Sequence, residues 1–183
     1  MRPVILILAS GQGARYRAAG GTSHKLQAEL GGRTVLQATL EAAAASGLPW
    51  HLEQRPHAGM GDALAAAVAR QAEAGGWLIL PGDMPLVLPD TIRAVALALE
   101  QGAAAAQPLV AGRRGHPVGF AARHREALMA LTGDEGARRL LAALRDAGRV
   151  AELPCRDRGA LEDIDTPADL QRARALLQER QQA

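Results

Sequence analysis

The chain holds a single cysteine, Cys155, among its 183 residues. No internal disulfide can form, and no cysteine-cluster metal site can be built. Aromatic residues are nearly as scarce, with Tyr16, Trp50, Trp77 and Phe120 making up the set. The core must therefore be assembled from Leu, Val, Ile and Ala, and the stacking platforms that usually hold single-stranded nucleic acid are missing. No stretch approaches the roughly 18 apolar residues that a membrane span needs, and the apolar run near the N-terminus is too short for a signal-peptide core. The net charge is +2, with arginines scattered along the chain instead of gathered into the basic stripe that marks a nucleic-acid footprint. The expectation is a cytoplasmic globular protein with neither nucleic acid nor membrane as partner. The length fits one domain over residues 1–183, large enough for a full core.

What is present starts at the N-terminus. An apolar run from Val4 to Ala9 empties into Ser10-Gly11-Gln12-Gly13-Ala14-Arg15, and Lys25 follows. Such a run suits a strand buried on both faces. The two glycines let backbone N–H groups approach a ligand closely, while Arg15 and Lys25 bring positive charge. That combination suits the phosphates of a nucleoside triphosphate. The dinucleotide-binding pattern is excluded because Tyr16 stands where its third glycine belongs, and the Walker loop because Lys25 lies between His24 and Leu26. Taken alone, the segment is also the sequence of an ordinary strand-to-helix turn.

Further along, strand and helix signals alternate. Helical spacing runs over Arg33–Ala45, a short strand over Trp50–Gln54, and a helix from Gly59-Met60-Gly61-Asp62 with Asp62 as N-cap. A buried strand at Trp77–Leu80 ends in Pro81-Gly82-Asp83-Met84-Pro85, and Asp90 opens the next helix. The order predicts a strand within Ala103–Pro108, although alanine is a poor strand former. A hairpin-like segment (Arg113–Phe120), helices at Arg123–Ala130 and Gly136–Ala147, and a strand at Val150–Pro154 follow. The last helix is capped by Thr166, Pro167 and Asp169, and its Gln-rich end is expected to fray. Alternation implies an α/β, Rossmann-like domain with a mostly parallel sheet and helices on both faces.

In such sheets ligands bind outside the carboxyl ends of the strands. Asp83 falls there, where one carboxylate suits Mg²⁺ coordinated mainly by phosphate oxygens and water. It is equally the kind of aspartate that satisfies a turn. Asp163 and Asp165 flank Ile164 and point the same way in an extended chain, so either can supply a second ligand, although Asp165 also fits a capping turn. His24, His51, His57 and His124 show no metal-ligand spacing. Arg113-Arg114 reads as a charged hairpin tip more readily than as a phosphate contact.

Leu8-Ala9-Ser10-Gly11-Gln12-Gly13-Ala14-Arg15 with Lys25, Gly82-Asp83-Met84-Pro85, Gly115-His116-Pro117, Thr132-Gly133-Asp134-Glu135-Gly136-Ala137-Arg138 and Asp163-Ile164-Asp165-Thr166-Pro167 together resemble the molybdenum cofactor nucleotidyltransferases, especially their cytidylyl branch. The resemblance implies transfer of CMP from CTP, or a nucleotide from GTP, to the phosphate of a molybdopterin-type cofactor with release of pyrophosphate. It places Leu8, Ala9, Ser10, Gly11, Gly13, Arg15 and Lys25 on the triphosphate, and Gly59 and Gly61 at the nucleobase. Asp83 and Asp165 would hold Mg²⁺. His116, Asp134 and Arg138 would face the acceptor. Arg15, Lys25 and Asp83 are the catalytic set. A target molybdoenzyme or its accessory protein is a further partner on this reading. The alternatives are a related transferase with another phosphorylated acceptor, such as a sugar phosphate, and a noncatalytic protein that carries the cofactor. Two departures stand out: the segment between Arg15 and Lys25 is longer than usual, and Leu48–His57 is shorter.

Overall fold

Strand β1 (Val4–Leu8) owes its place to its composition, because every second side chain enters a different core. Ile5 and Ile7 pack into one hydrophobic cluster, Val4 and Leu6 into another on the opposite face. A strand buried on both sides needs parallel neighbours reached through helical crossovers, and β1 has them in β4 (Trp50–Glu53) and β5 (Gly76–Pro81). The computed structural model describes residues 1–11 and 13–182.

Among the described residues the main sheet has seven strands. Beyond β5 come β8 (Val118–Ala121), then β6 (Ala105–Val110) and β9 (Val150–Cys155). Strand β8 runs antiparallel to both neighbours, and the short β7 (Arg113–Arg114) returns from β6 as a hairpin. The others share one direction, so the sheet is mostly parallel, as expected. Strand β6 forms despite its alanines because burial outweighs propensity: Ala105 and Ala106 are fully buried.

Helices cover both faces. With Ile5, Ile7, Leu78 and Leu80 pack α2 (Val35–Ala45), α4 (Pro89–Glu100) and α7 (Pro167–Gln182). With Val4, Leu6, Trp77 and Ile79 pack α3 (Met60–Arg70), α5 (Arg125–Met129) and α6 (Arg138–Asp146). The short α1 (Ala14–Ala18) follows the opening loop.

Several local expectations are corrected. The helix expected from Arg33 starts at Val35, with Thr34 and Gln37 forming a capping box. Before it lies an unexpected hairpin, β2 (Glu29–Leu30) and β3 (Arg33–Thr34), turned by Gly31-Gly32 at φ 62° and 83°. Both turn positions need left-handed backbone, which glycine supplies. Asp62 does not cap α3. Gly59 is the N-cap, and the Asp62 carboxylate instead accepts the Gly133 N–H at 2.9 Å. Asp90 does not cap α4 either: Leu88 is the N-cap and Pro89 the first helical residue. Helix α7 extends through Gln182.

Candidate active site

Backbone hydrogen bonds carry the sheet pattern past its strand ends and gather three segments there. Ala9 N–H donates to Glu53 O at 2.9 Å and Gly82 N–H to Leu8 O at 2.8 Å, while Ile164 N–H reaches Asp83 O at 3.1 Å. Gly82 permits this approach, since a Cβ there would lie 3.1 Å from the Ala9 Cβ. Fully buried Ile164 anchors the third segment. The Asp169 carboxylate, accepting from the N–H groups of Asp165 and Thr166 at 3.0 and 2.6 Å, fixes its direction.

Lys25 joins these segments. Its Nζ donates to Asp83 Oδ2 at 2.5 Å and to Asp165 Oδ1 at 2.7 Å, and both Lys25 and Asp83 are largely buried. Arg15 Nη1 donates to Asp165 Oδ2 at 3.0 Å from a side chain 84% exposed. Solvent screening leaves that exposed pair little strength. The sequence pattern left Asp163 and Asp165 as rival partners for Asp83, and Asp165 is the one brought to Lys25.

Charge states follow from this packing. Burial alone would lower the Lys25 pKa, but the Asp83 charge and the hydrogen bonds to both carboxylates outweigh it and hold the pKa above its ordinary value. The Lys25 hydrogen bond lowers the Asp165 pKa against the effect of burial, with Arg15 assisting. Asp163 is pushed the other way, by burial and by the negative charges of Asp83, Asp165 and Asp169. Burial lowers the His116 pKa despite the nearby Asp83 and Asp163, and Arg138 adds to the lowering. At neutral pH His116 is therefore an uncharged imidazole. The backbone N–H of His116 donates to Ala160 O at 2.9 Å.

The expected nucleobase and acceptor segments touch each other. Gly61 N–H donates to Gly133 O at 2.7 Å. A Cβ on Gly59 would lie 2.4 Å from the Gly133 carbonyl and 2.9 Å from Asp134 Oδ1. Both glycines thus serve the approach of Thr132–Asp134, and the Gly61 amide is already engaged. Arg138, at the start of α6, shares the electrostatic surroundings of His116. Arg114 is held by Glu152 at 2.6 Å. Gln12 of the expected phosphate loop lies outside the described residues.

His24, which shows no metal-ligand spacing, has a structural role that the sequence pattern did not mark. Its Nδ1 accepts the Leu26 N–H at 3.3 Å, so the hydrogen sits on Nε2, which donates to Gly11 O at 2.9 Å. The imidazole links the opening loop to the turn carrying Lys25. The signal available was its adjacency to Lys25. Glu53 was also missed. Its buried carboxylate accepts from Arg55 N–H and Arg70 Nε and lies 3.3 Å from His57 Nε2. Nothing in the linear pattern marks it.

A divalent cation fits this donor set. Asp83 Oδ1 is buried with no hydrogen-bond partner among the described residues, and Asp165 stands across Lys25 from it. No group of three protein ligands occurs among the described residues. Such a site suits a divalent cation held by one or two carboxylates together with substrate oxygens, and not a cage built wholly from protein.

A buried lysine between two carboxylates, beside a glycine loop at the strand ends, defines a site for polyanionic substrates of the nucleotidyltransferase class. A family model described as the MobA-like NTP transferase domain matches residues 40–151, and the chain belongs to that family. The purine catabolism protein PucB of Bacillus subtilis (strain 168) is 37% identical over 123 residues, 65% of this chain and 58% of that protein. The chain thus spans somewhat over half the length of this relative. Rv0371c of Mycobacterium tuberculosis H37Rv superposes with a TM-score of 0.76 at 24% identity, covering 96% of this chain and 99% of its own. The same protein in complex with manganese gives a TM-score of 0.72 at 25% identity over the same shares. The molybdopterin-guanine dinucleotide biosynthesis protein A of Archaeoglobus fulgidus has the same fold, with a TM-score of 0.63 at 18% identity over 96% and 99% of the two chains. No helix among the described residues is long and apolar enough to cross a membrane.

Proposed function

We propose that the protein transfers CMP from CTP to the phosphate of a molybdopterin-type cofactor in a Mg²⁺-dependent reaction that releases pyrophosphate. The observation that carries the reading is the Lys25 ammonium held between Asp83 and Asp165 at the carboxyl ends of the sheet. In the reaction an acceptor phosphate oxygen forms a bond to the α-phosphorus of CTP. The bond from that phosphorus to the α,β-bridging oxygen breaks, and pyrophosphate leaves with the electron pair. The acceptor oxygen is already anionic at neutral pH, so positioning and charge neutralisation suffice without a strong base.

Each residue then has a task. The backbone of Leu8, Ala9, Ser10, Gly11 and Gly13 lines the triphosphate, and Arg15 holds its leaving end. Lys25 offsets charge near the α-phosphate as a point cation. Asp83 and Asp165 would hold Mg²⁺, which when bound neutralises phosphate charge. Neutral His116 offers the acceptor a hydrogen bond, and Arg138 offers it a positive charge. Asp134 sits where the acceptor and nucleobase segments meet, beside Gly59 and Gly61. The cytidylyl preference rests on the motifs around Gly115-His116-Pro117 and Gly133–Arg138. The manganese complex of Rv0371c supports a divalent cation.

Pyrophosphate release with purified molybdopterin, Mg²⁺ and each of the four nucleoside triphosphates tests the reading. CTP is expected to give the highest kcat/KM. Asp83→Asn is expected to fold normally yet lose about 3 kcal/mol of transition-state stabilisation, a factor of roughly a hundred. A GTP preference would overturn the nucleotide assignment, and full activity in Asp83→Asn would overturn the site. Nucleotide binding without release on this or a sugar-phosphate acceptor would make the protein a carrier.

A further inference from the structure

We propose that Lys25 is the resident cation of the site, and that a divalent ion gains Asp165 only when a nucleotide draws Lys25 and Arg15 away. The proposal rests on the nucleotidyl-transfer reading and adds an order of entry to it. The oxygen inventory leads to this conclusion. Of the four carboxylate oxygens of Asp83 and Asp165, three accept hydrogen bonds: Asp83 Oδ2 and Asp165 Oδ1 from Lys25, and Asp165 Oδ2 from Arg15. Only Asp83 Oδ1 is unpartnered among the described residues. Without substrate, a divalent ion meets one available protein oxygen and a second carboxylate already neutralised on both sides.

The two positive side chains balance the two carboxylates, so added cation charge would face Lys25 across a mostly dehydrated gap. Triphosphate changes that balance. Its oxygens offer Lys25 and Arg15 a competing anion, and each cation that turns to phosphate releases an oxygen of Asp165. Metal and nucleotide thereby favour each other's binding through one shared carboxylate, a coupling that must be reciprocal. The protein is spared an uncompensated pair of partly buried carboxylates when the site is empty.

The test is direct Mn²⁺ binding, followed by the electron paramagnetic resonance signal of the free ion, with no nucleotide and no turnover. Wild type and Lys25→Arg should bind Mn²⁺ equally weakly. Lys25→Gln should bind it about tenfold or more tightly, and Lys25→Gln/Asp165→Asn should lose that gain. Because Lys25→Gln leaves carboxylates unbalanced, Arg15→Gln at the exposed position provides a variant that keeps both Lys25 pairs. It frees one Asp165 oxygen and should tighten Mn²⁺ by a factor of about two to five, the scale of an exposed pair. In thermal unfolding, Mn²⁺ should raise the Tm of Lys25→Gln more than that of wild type. Binding by Lys25→Gln and Arg15→Gln no tighter than wild type would overturn the proposal, as would Lys25→Arg binding as tightly as Lys25→Gln. Mn²⁺ tightening without nucleotidyl transfer would remove the function and keep the exchange, whereas transfer without tightening would do the reverse.

Discussion

His24 shows how one side chain joins the phosphate loop to the turn that carries Lys25. Gly20 and Gly21 donate back to Arg17 O and Tyr16 O at 3.0 Å each, which closes the turn after α1 but does not tie Lys25 to the phosphate loop. The imidazole does so with both nitrogens, accepting from Leu26 N–H and donating to Gly11 O. Its ring also sits about 3.5 Å from the Cβ position of Gly13. Two substitutions separate the two bonds. Asn reaches only the Nδ1 position and keeps the turn, while Gln reaches the Nε2 position and keeps the tie to the loop. His24→Asn is expected to raise the KM for nucleotide by roughly fivefold, about 1 kcal/mol for one hydrogen bond, with kcat little changed. His24→Gln is expected to stay near wild type. The opposite ranking in steady-state kinetics would reduce His24 to a turn cap.

Among elements, the loop from β5 into α4 carries Asp83 and is braced by a residue far along the chain. Asp157, almost fully buried, accepts from Leu88 N–H and the Thr91 hydroxyl at 2.8 Å each, from Gly159 N–H at 3.0 Å and from Arg180 at 2.8 Å. Arg180 also donates to Leu86 O at 2.7 Å, which ties the end of α7 to the same loop. Gly159 is required there, because a Cβ would lie 1.8 Å from that carbonyl oxygen. Asp157→Ala strands these donors and leaves a half-buried guanidinium unpaired, so a loss of about 3 kcal/mol is expected. Urea unfolding should show a lower midpoint at unchanged slope. A loss under about 1 kcal/mol would mean that water replaces the carboxylate and that the brace is dispensable.

At the scale of the whole molecule, stability should depend on pH through two partly buried histidines. The pKa of His116 is lowered by burial and by Arg138 against the pull of Asp83 and Asp163, and that of His124 by burial with Arg123 and Arg149. A histidine whose folded pKa lies below its unfolded value binds fewer protons when folded. Its neutral-form stability is therefore intact above about 6.5 and is lost as pH falls from there toward the folded pKa. The unfolding free energy is expected to drop as pH falls below about 6.5, and His116→Gln should flatten that slope. A slope unchanged in the variant would assign the proton uptake elsewhere. Asp165 acts in a lower range: its depressed pKa contributes stability above 3.8 that is lost on further acidification.

The amino-acid sequence by itself determined the elements whose signal is local. The five-residue run of β1, the strand before Asp83 and the Thr166-Pro167-Ala168-Asp169 cap are legible because burial periodicity and capping chemistry act within a few residues. It also placed Arg15, Lys25 and Asp83 as candidates and left Asp163 and Asp165 as alternatives, through loop composition and the family resemblance. What only the tertiary structure decided is who meets whom. Lys25 reaches Asp83 across 58 positions and Asp165 across 140, Asp62 turns from its own helix to Gly133, and Asp157 serves a helix that begins 68 residues earlier, at Pro89. Linear spacing holds no information on such pairs, because their energy appears only after the sheet order brings distant strand ends to one edge.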